Sequence, residues 1–172
     1  MSAGKLGRLM VVLAVLIWTL SLATRPMDDV MDSFLHNVNL VFHEAGHIVF
    51  SPFGRFMTIL GGSLLQTLIP LICAIALYVQ NDDAFGAALC VWWMGENLLD
   101  LAPYINDARA LNLILLGGPA NAVEGHDWEA ILTSLGWLHL DHRIAAGAHL
   151  LGAFIMFASL AGAAWAAMQV ES

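Results

Sequence analysis

Charge is what this chain of 172 residues has least of: 12% of its residues are Asp, Glu, Lys or Arg, and only six are Lys or Arg. So few cations, in a chain of formal net charge -8 at pH 7, exclude the basic surface that a nucleic-acid partner requires. Cysteine is nearly absent as well. Cys73 and Cys90 each lie inside an apolar run, at no spacing that suggests a thiolate metal site, and read as small core residues. There is no internal repeat, no low-complexity tract and no polar stretch long enough for a soluble second domain or a linker.

What the chain has in excess is apolar surface. A hydrophobic content of 59% and a mean hydropathy of +0.75 are too high for an ordinary water-soluble domain, so the bilayer is expected to be the solvent for most of it. Residues 1–172 therefore read as one integral membrane domain, and its apolar runs fall at residues 9–23, 34–53, 59–79, 84–105 and 142–168. The expected fold is all-α, a polytopic bundle of about five transmembrane helices. The first run follows Lys5 and Arg8 and ends at Ser21-Leu22-Ala23, a passable signal-peptide cleavage site; an uncleaved helix is the expectation. Lys5, Arg8, Arg55, Arg109 and Arg143 fall on one side of such a bundle and only Arg25 on the other, which makes the first side, and the N-terminus, cytoplasmic. A compact multi-pass chain without organelle targeting fits the cell membrane of a bacterium, its inner membrane in particular.

The second run carries His36, His43, Glu44 and His47, a density of polar groups that cannot face lipid. In His43-Glu44-Ala45-Gly46-His47 a spacing of four puts both imidazoles on one helix face, a turn apart, where they can share one metal ion. Glu44 then lies beside the ion, positioned to take a proton from a water that the metal acidifies and to pass it to a leaving amine. A catalytic zinc has three protein ligands and one open position, so a third ligand is expected. The segment from Glu96 to Arg109 is the richest source. Pro103 frees backbone carbonyls there, a geometry suited to a watery cavity at membrane depth. Asp107 is the first choice and Asp100 the second, each weighed against a plain helix-end charge; for Asp107 that includes pairing with Arg109. Asn97 reads equally as a hydrogen-bond donor to a scissile carbonyl and as glue between helices. Gly61-Gly62 reads as an opening for an extended substrate or as a close helix contact. In the mixed region 106–141, which holds Gly117-Gly118-Pro119 and a short helix near residues 128–135, Asp127 is placed to cap that helix and Trp128 to anchor it. That leaves His126 as a further possible ligand.

The HExxH pentapeptide, the Gly-containing run after it and the Asn/Pro/Asp set in a later run resemble the site-2 protease family of intramembrane zinc metalloproteases. The resemblance covers roughly residues 35–109. It implies a three-helix metalloprotease-like core at about residues 34–109, flanked by the N-terminal helix 9–23 and the C-terminal helix 142–168. It also implies zinc held by His43, His47 and Asp107, with Glu44 as the general base. The activity implied is hydrolysis of peptide bonds in transmembrane or membrane-associated protein substrates. Pro103 lies six residues after Asn97 and Ala108 follows Asp107, both departures from the family's spacing, and no inserted PDZ-like domain is present. Two other readings stand beside this one. A membrane di-iron oxygenase or desaturase would recruit His126, His139 and His142 as well and hold two irons. A non-catalytic metal-binding scaffold would close its site with four protein ligands.

Overall fold

The computed structural model describes residues 2–116, 118–119 and 125–169. It is built of helices: α1 (Ala3–Thr24), α2 (Phe34–Phe50), α3 (Arg55–Asn81), α4 (Ala84–Asn106), α5 (Asp127–Ser134) and α6 (Asp141–Met168). One small antiparallel pair, β1 (Ile114–Leu115) with β2 (Gly118–Pro119), interrupts them. The all-α expectation holds, and α5 falls where the short helix was expected; the hairpin was not anticipated.

Local chemistry sets the helix boundaries. Ser2, Ser33 and Asp83 cap α1, α2 and α4 by accepting a backbone N–H each, from Lys5, Leu35 and Gly86. A short 3-10 turn at Ser51–Phe53 ends on Gly54, whose φ of +92° reverses the chain into α3. Asp82, at φ +52°, closes α3.

Glycines decide how the helices meet. α4 and α6 pack along their length with Gly95 against Gly152: a Cβ on Gly95 would stand 2.8 Å from the Gly152 carbonyl oxygen. Beside this contact Leu22, Trp92, Leu99, Met156 and Leu160 form a buried cluster that joins α1 to the pair, and the Trp92 indole donates to Thr19 Oγ1 at 2.7 Å. A second cluster of Leu101, Ile105, Ala108, Leu132 and Ala145 seats α5. Arg109 extends from the end of α4 to the fully buried Asp141 at the start of α6, with Nε and Nη2 each 2.7 Å from a carboxylate oxygen. Asp107 therefore does not pair with Arg109.

The outward faces are apolar. Met10, Leu13 and Ile17 on α1, Ile72 and Val79 on α3, and Leu150 and Phe154 on α6 are all more than half exposed. Such a belt is unfavourable in water and is what lipid solvates. Three segments, Ala3–Thr24, Arg55–Asn81 and Leu138–Met168, are long and apolar enough to cross a membrane. The other two expected spans form helices with a physical difference. α2 has 17 residues, and α4 buries Glu96, Asn97 and Asp100 along one face.

Gly152→Val places a branched side chain against the Gly95 carbonyl and Leu99. Overpacking of this kind costs about 1–3 kcal/mol. The thermal unfolding midpoint in detergent, followed by circular dichroism, is expected to fall clearly below that of the wild type, and an unchanged midpoint would show that the crossing is not tightly packed.

Candidate metal centre

A backbone-to-backbone contact between α2 and α3 produces the site. A Cβ on Gly46 would overlap the Gly61 carbonyl oxygen, and one on Gly62 would stand 2.6 Å from His43 Nε2. The backbones of α2 and α3 thus touch at Gly46 and Gly61, and the His43 ring lies directly over Gly62. Of the two roles open to Gly61-Gly62, close packing is the one the geometry displays.

That approach gives each histidine an outer partner on α3. His47 Nδ1 is 2.9 Å from the Thr58 carbonyl oxygen, and a carbonyl only accepts, so Nδ1 carries a proton and the neutral ring offers its lone pair at Nε2. His43 Nδ1 is 2.7 Å from Gln66 Oε1, the same arrangement with a side-chain acceptor. Both Nε2 atoms turn to one point, where Asp127 meets them: its Oδ2 is 2.8 Å from His43 Nε2 and 3.3 Å from His47 Nε2. With one proton of each ring on Nδ1, the two Nε2 atoms and the Asp127 carboxylate meet at a point that suits a positive charge, which a second ring proton or a metal ion supplies. Ligand atoms on a tetrahedral zinc, each about 2.0–2.1 Å from the metal, stand about 3.3 Å apart, so the spacing suits a metal ion with slight expansion on the His43 side.

His43, Glu44 and His47 form a group able to hold a metal ion, with their ligating atoms within 4.8 Å of one another. Glu44 is exposed on the same side and forms part of the wall of a cavity of about 450 Å³, together with His43, His47, Gln66, Tyr104 and Asp127. The HExxH geometry expected from the sequence is thus present, with an open space beside it.

Asp127 is delivered by α5, of which it is the first residue. His126 caps that helix, its Nδ1 accepting from Glu129 N at 3.2 Å. The Asp127 N–H donates to the Tyr104 hydroxyl at 2.9 Å, and Trp128 Nε1 donates to Ser63 Oγ at 3.1 Å, tying α5 to both α4 and α3. Burial raises the pKa of the Asp127 carboxyl, but its hydrogen bonds with His43 and His47 outweigh that, and the carboxyl is held below its ordinary value. Burial lowers the pKa of His126, against the pull of Asp107 and Asp127.

Asp107, the carboxylate expected from the sequence as third ligand, stands apart from this centre. It accepts from the backbone N–H groups of Asn112 and Leu113 at 2.8 and 3.1 Å, closing the turn after α4, and its Oδ2 is 3.5 Å from His126 Nε2. An aspartate beyond a helix end is well suited to that task. Asp100 does not join the histidines of the pentapeptide either, being held by His36 and Asn39. His126 serves as the cap of α5, and Asp127, expected as the cap, takes the place beside the histidines. Asn97 donates to the Trp93 carbonyl on its own helix. The sequence signal for Asp127 is its neighbourhood: an acid between a histidine and a tryptophan, opening a short helix.

No family model, curated protein or solved structure matches this chain.

Two outcomes test the centre. Asp127→Ala is expected to weaken zinc binding far more than Asp107→Asn in a competition titration with a chromophoric chelator; the reverse order would return Asp107 to the ligand set. Gln66→Leu, which leaves His43 Nδ1 without its acceptor, should reduce zinc affinity about 10–100-fold, and wild-type affinity would show that the outer hydrogen bond does not orient the ring.

Proposed function

We propose that the chain is a membrane-embedded zinc metallopeptidase of the site-2 protease type, hydrolysing peptide bonds of transmembrane or membrane-associated proteins. The observation that carries this reading is the convergence of His43, His47 and Asp127 on one point with Glu44 and an open cavity beside it. A centre of three protein ligands with access on the fourth side is the arrangement of catalytic zinc, whereas structural zinc is closed by four. That contrast favours the enzyme over the scaffold.

When bound, zinc supplies a positive charge that acidifies water and polarises a carbonyl. The chain's own groups do the rest. His43 and His47 are fixed by Gln66 and Thr58, and Asp127 by Tyr104, so the ligands need little reorganisation. Glu44, free of any hydrogen bond among those found for the described residues, is the general base: its carboxylate takes a proton from the attacking water and returns it to the amine as the C–N bond breaks. Water reaches the site through the cavity, whose wall at Leu40, Leu101 and Ile114–Leu116 is apolar and suits a hydrophobic peptide. In the proposed arrangement α2 and α4 lie within the bilayer among α1, α3 and α6, giving five spans with the N-terminus cytoplasmic in a bacterial inner membrane.

Glu44→Gln retains size and removes the base. The expected result is unchanged zinc content with peptide hydrolysis reduced by about 100-fold or more, measured on detergent-solubilised protein with an apolar fluorogenic peptide. Hydrolysis near the wild-type rate would contradict the assignment, and loss of zinc would make Glu44 a ligand.

A further inference from the structure

A second polar group lines the same cavity and has no part in the chemistry above. His36 precedes His43 by seven residues on α2, two turns of helix, so the two share a face about 10.5 Å apart along the axis. Both line the cavity, as does Asp100 from α4. His36 Nδ1 and Asp100 Oδ1 are 2.8 Å apart. The other Asp100 oxygen accepts from the Asn39 amide at 3.1 Å, and the same amide nitrogen donates to Glu96 Oε2 at 2.9 Å. Trp93 Nε1 donates to Asn39 Oδ1 at 2.9 Å. Asn39, Glu96 and Asp100 are 1%, 0% and 4% exposed, so this base is buried and rigid.

Both Asp100 oxygens are occupied, and the Asn39 amide is occupied at both ends. Two atoms of the group have no partner: Glu96 Oε1, which is sealed inside the base, and His36 Nε2, the one that reaches the cavity, on a ring whose side chain is 21% exposed. Asp100 against Nδ1 balances the charge of a ring that carries its second proton on Nε2, and such a ring donates to an anionic acceptor. Among the described residues no Lys or Arg lines the cavity. His36 is the cationic donor available there apart from the metal-site histidines. Between it and the metal centre Leu40 and Leu101 form an apolar stretch. An extended peptide advances about 3.3 Å per residue, so a chain whose scissile bond lies at the metal centre presents its third residue beyond that bond at His36.

We propose that His36, held by Asp100 on the Asn39–Glu96 base, is a specificity subsite for a carboxylate about three residues from the scissile bond. The carboxylate is either an Asp or Glu side chain or the free C-terminus of the peptide. This inference rests on the metallopeptidase reading, because it needs the metal centre as the other fixed point.

Hydroxamate-capped tripeptides test it by binding alone, the hydroxamate anchoring on zinc and the third residue reaching His36. The series carries Glu or Gln at the third residue with an amidated end, and Leu there with a free or an amidated end. Zinc-loaded wild-type protein is expected to bind at least one carboxylate member about tenfold more tightly than its neutral counterpart. Glu over Gln identifies a side chain as the source, and the free over the amidated Leu peptide identifies a C-terminus. His36→Ala and the more conservative His36→Gln should both reduce the preference to within about twofold, while acetohydroxamate, which is too short to reach His36, binds as before. A wild-type protein that binds acetohydroxamate but does not distinguish carboxylate from neutral peptides overturns the subsite and leaves the metal centre standing. A preference that persists in both variants overturns it too. Absence of acetohydroxamate binding to zinc-incubated protein overturns the metal centre and the subsite with it.

Discussion

Gly46, Gly61 and Gly62 let α2 and α3 approach until backbone meets backbone, and the functional geometry depends on that approach. At an ordinary helix separation of 8–10 Å the Thr58 carbonyl would not reach His47, nor Gln66 reach His43, and neither ring would have its proton fixed on Nδ1. With the rings so fixed, two lone pairs face one point. Asp127 adds a carboxylate, and the set becomes a cation site. The contact does not depend on side chains that can relax: a methyl group on Gly46 would meet the Gly61 carbonyl itself. The second glycine contact, Gly95 with Gly152, performs the matching service on the other side of the bundle. It sets α4, the helix that carries Tyr104, against α6.

A membrane chain that buries Asp100, Asp107, Asp127 and Asp141 incurs a large desolvation cost unless every charge is matched. The matching is detailed. Asp107 is satisfied by two backbone amides, Asp141 by an arginine, Asp100 by an imidazole and an amide, and Asp127 by two imidazoles. Only the last arrangement leaves its partners' lone pairs and a carboxylate oxygen directed at a common point. This separates the candidate centre from the other buried acids, which are structural by the same accounting of donors and acceptors.

Much of this could be read from the residues in order. Apolar runs predict helices, and a spacing of four predicts two histidines on one face. Those expectations concern contacts within one helix, where the period alone determines neighbours. The carboxylate that meets the two histidines lies on another element, and there sequence distance is no guide. Asp107 and Asp127 are both acids near the end of a helix, and which of them reaches His43 depends on how the segment after α4 folds back. Asp107 uses its oxygens to start that fold-back, and the Tyr104 hydroxyl receives the returning chain at Asp127. A metalloprotease-like core at about residues 34–109 does not include α5, the helix that carries Asp127. His36 was visible as a polar residue in an apolar run, but its relation to Asp100, 64 residues away, becomes apparent only once α2 and α4 are packed.

The central claim is that one metal ion is bound by His43, His47 and Asp127 with a position left open, and X-ray absorption spectroscopy of the zinc-loaded protein tests it most directly. The account predicts one zinc per chain with two imidazole nitrogens and two oxygens at about 2.0–2.2 Å, and in Asp127→Ala loss of the carboxylate oxygen with both imidazoles retained. A wild-type spectrum with no imidazole scattering, or one unchanged by Asp127→Ala, would contradict it.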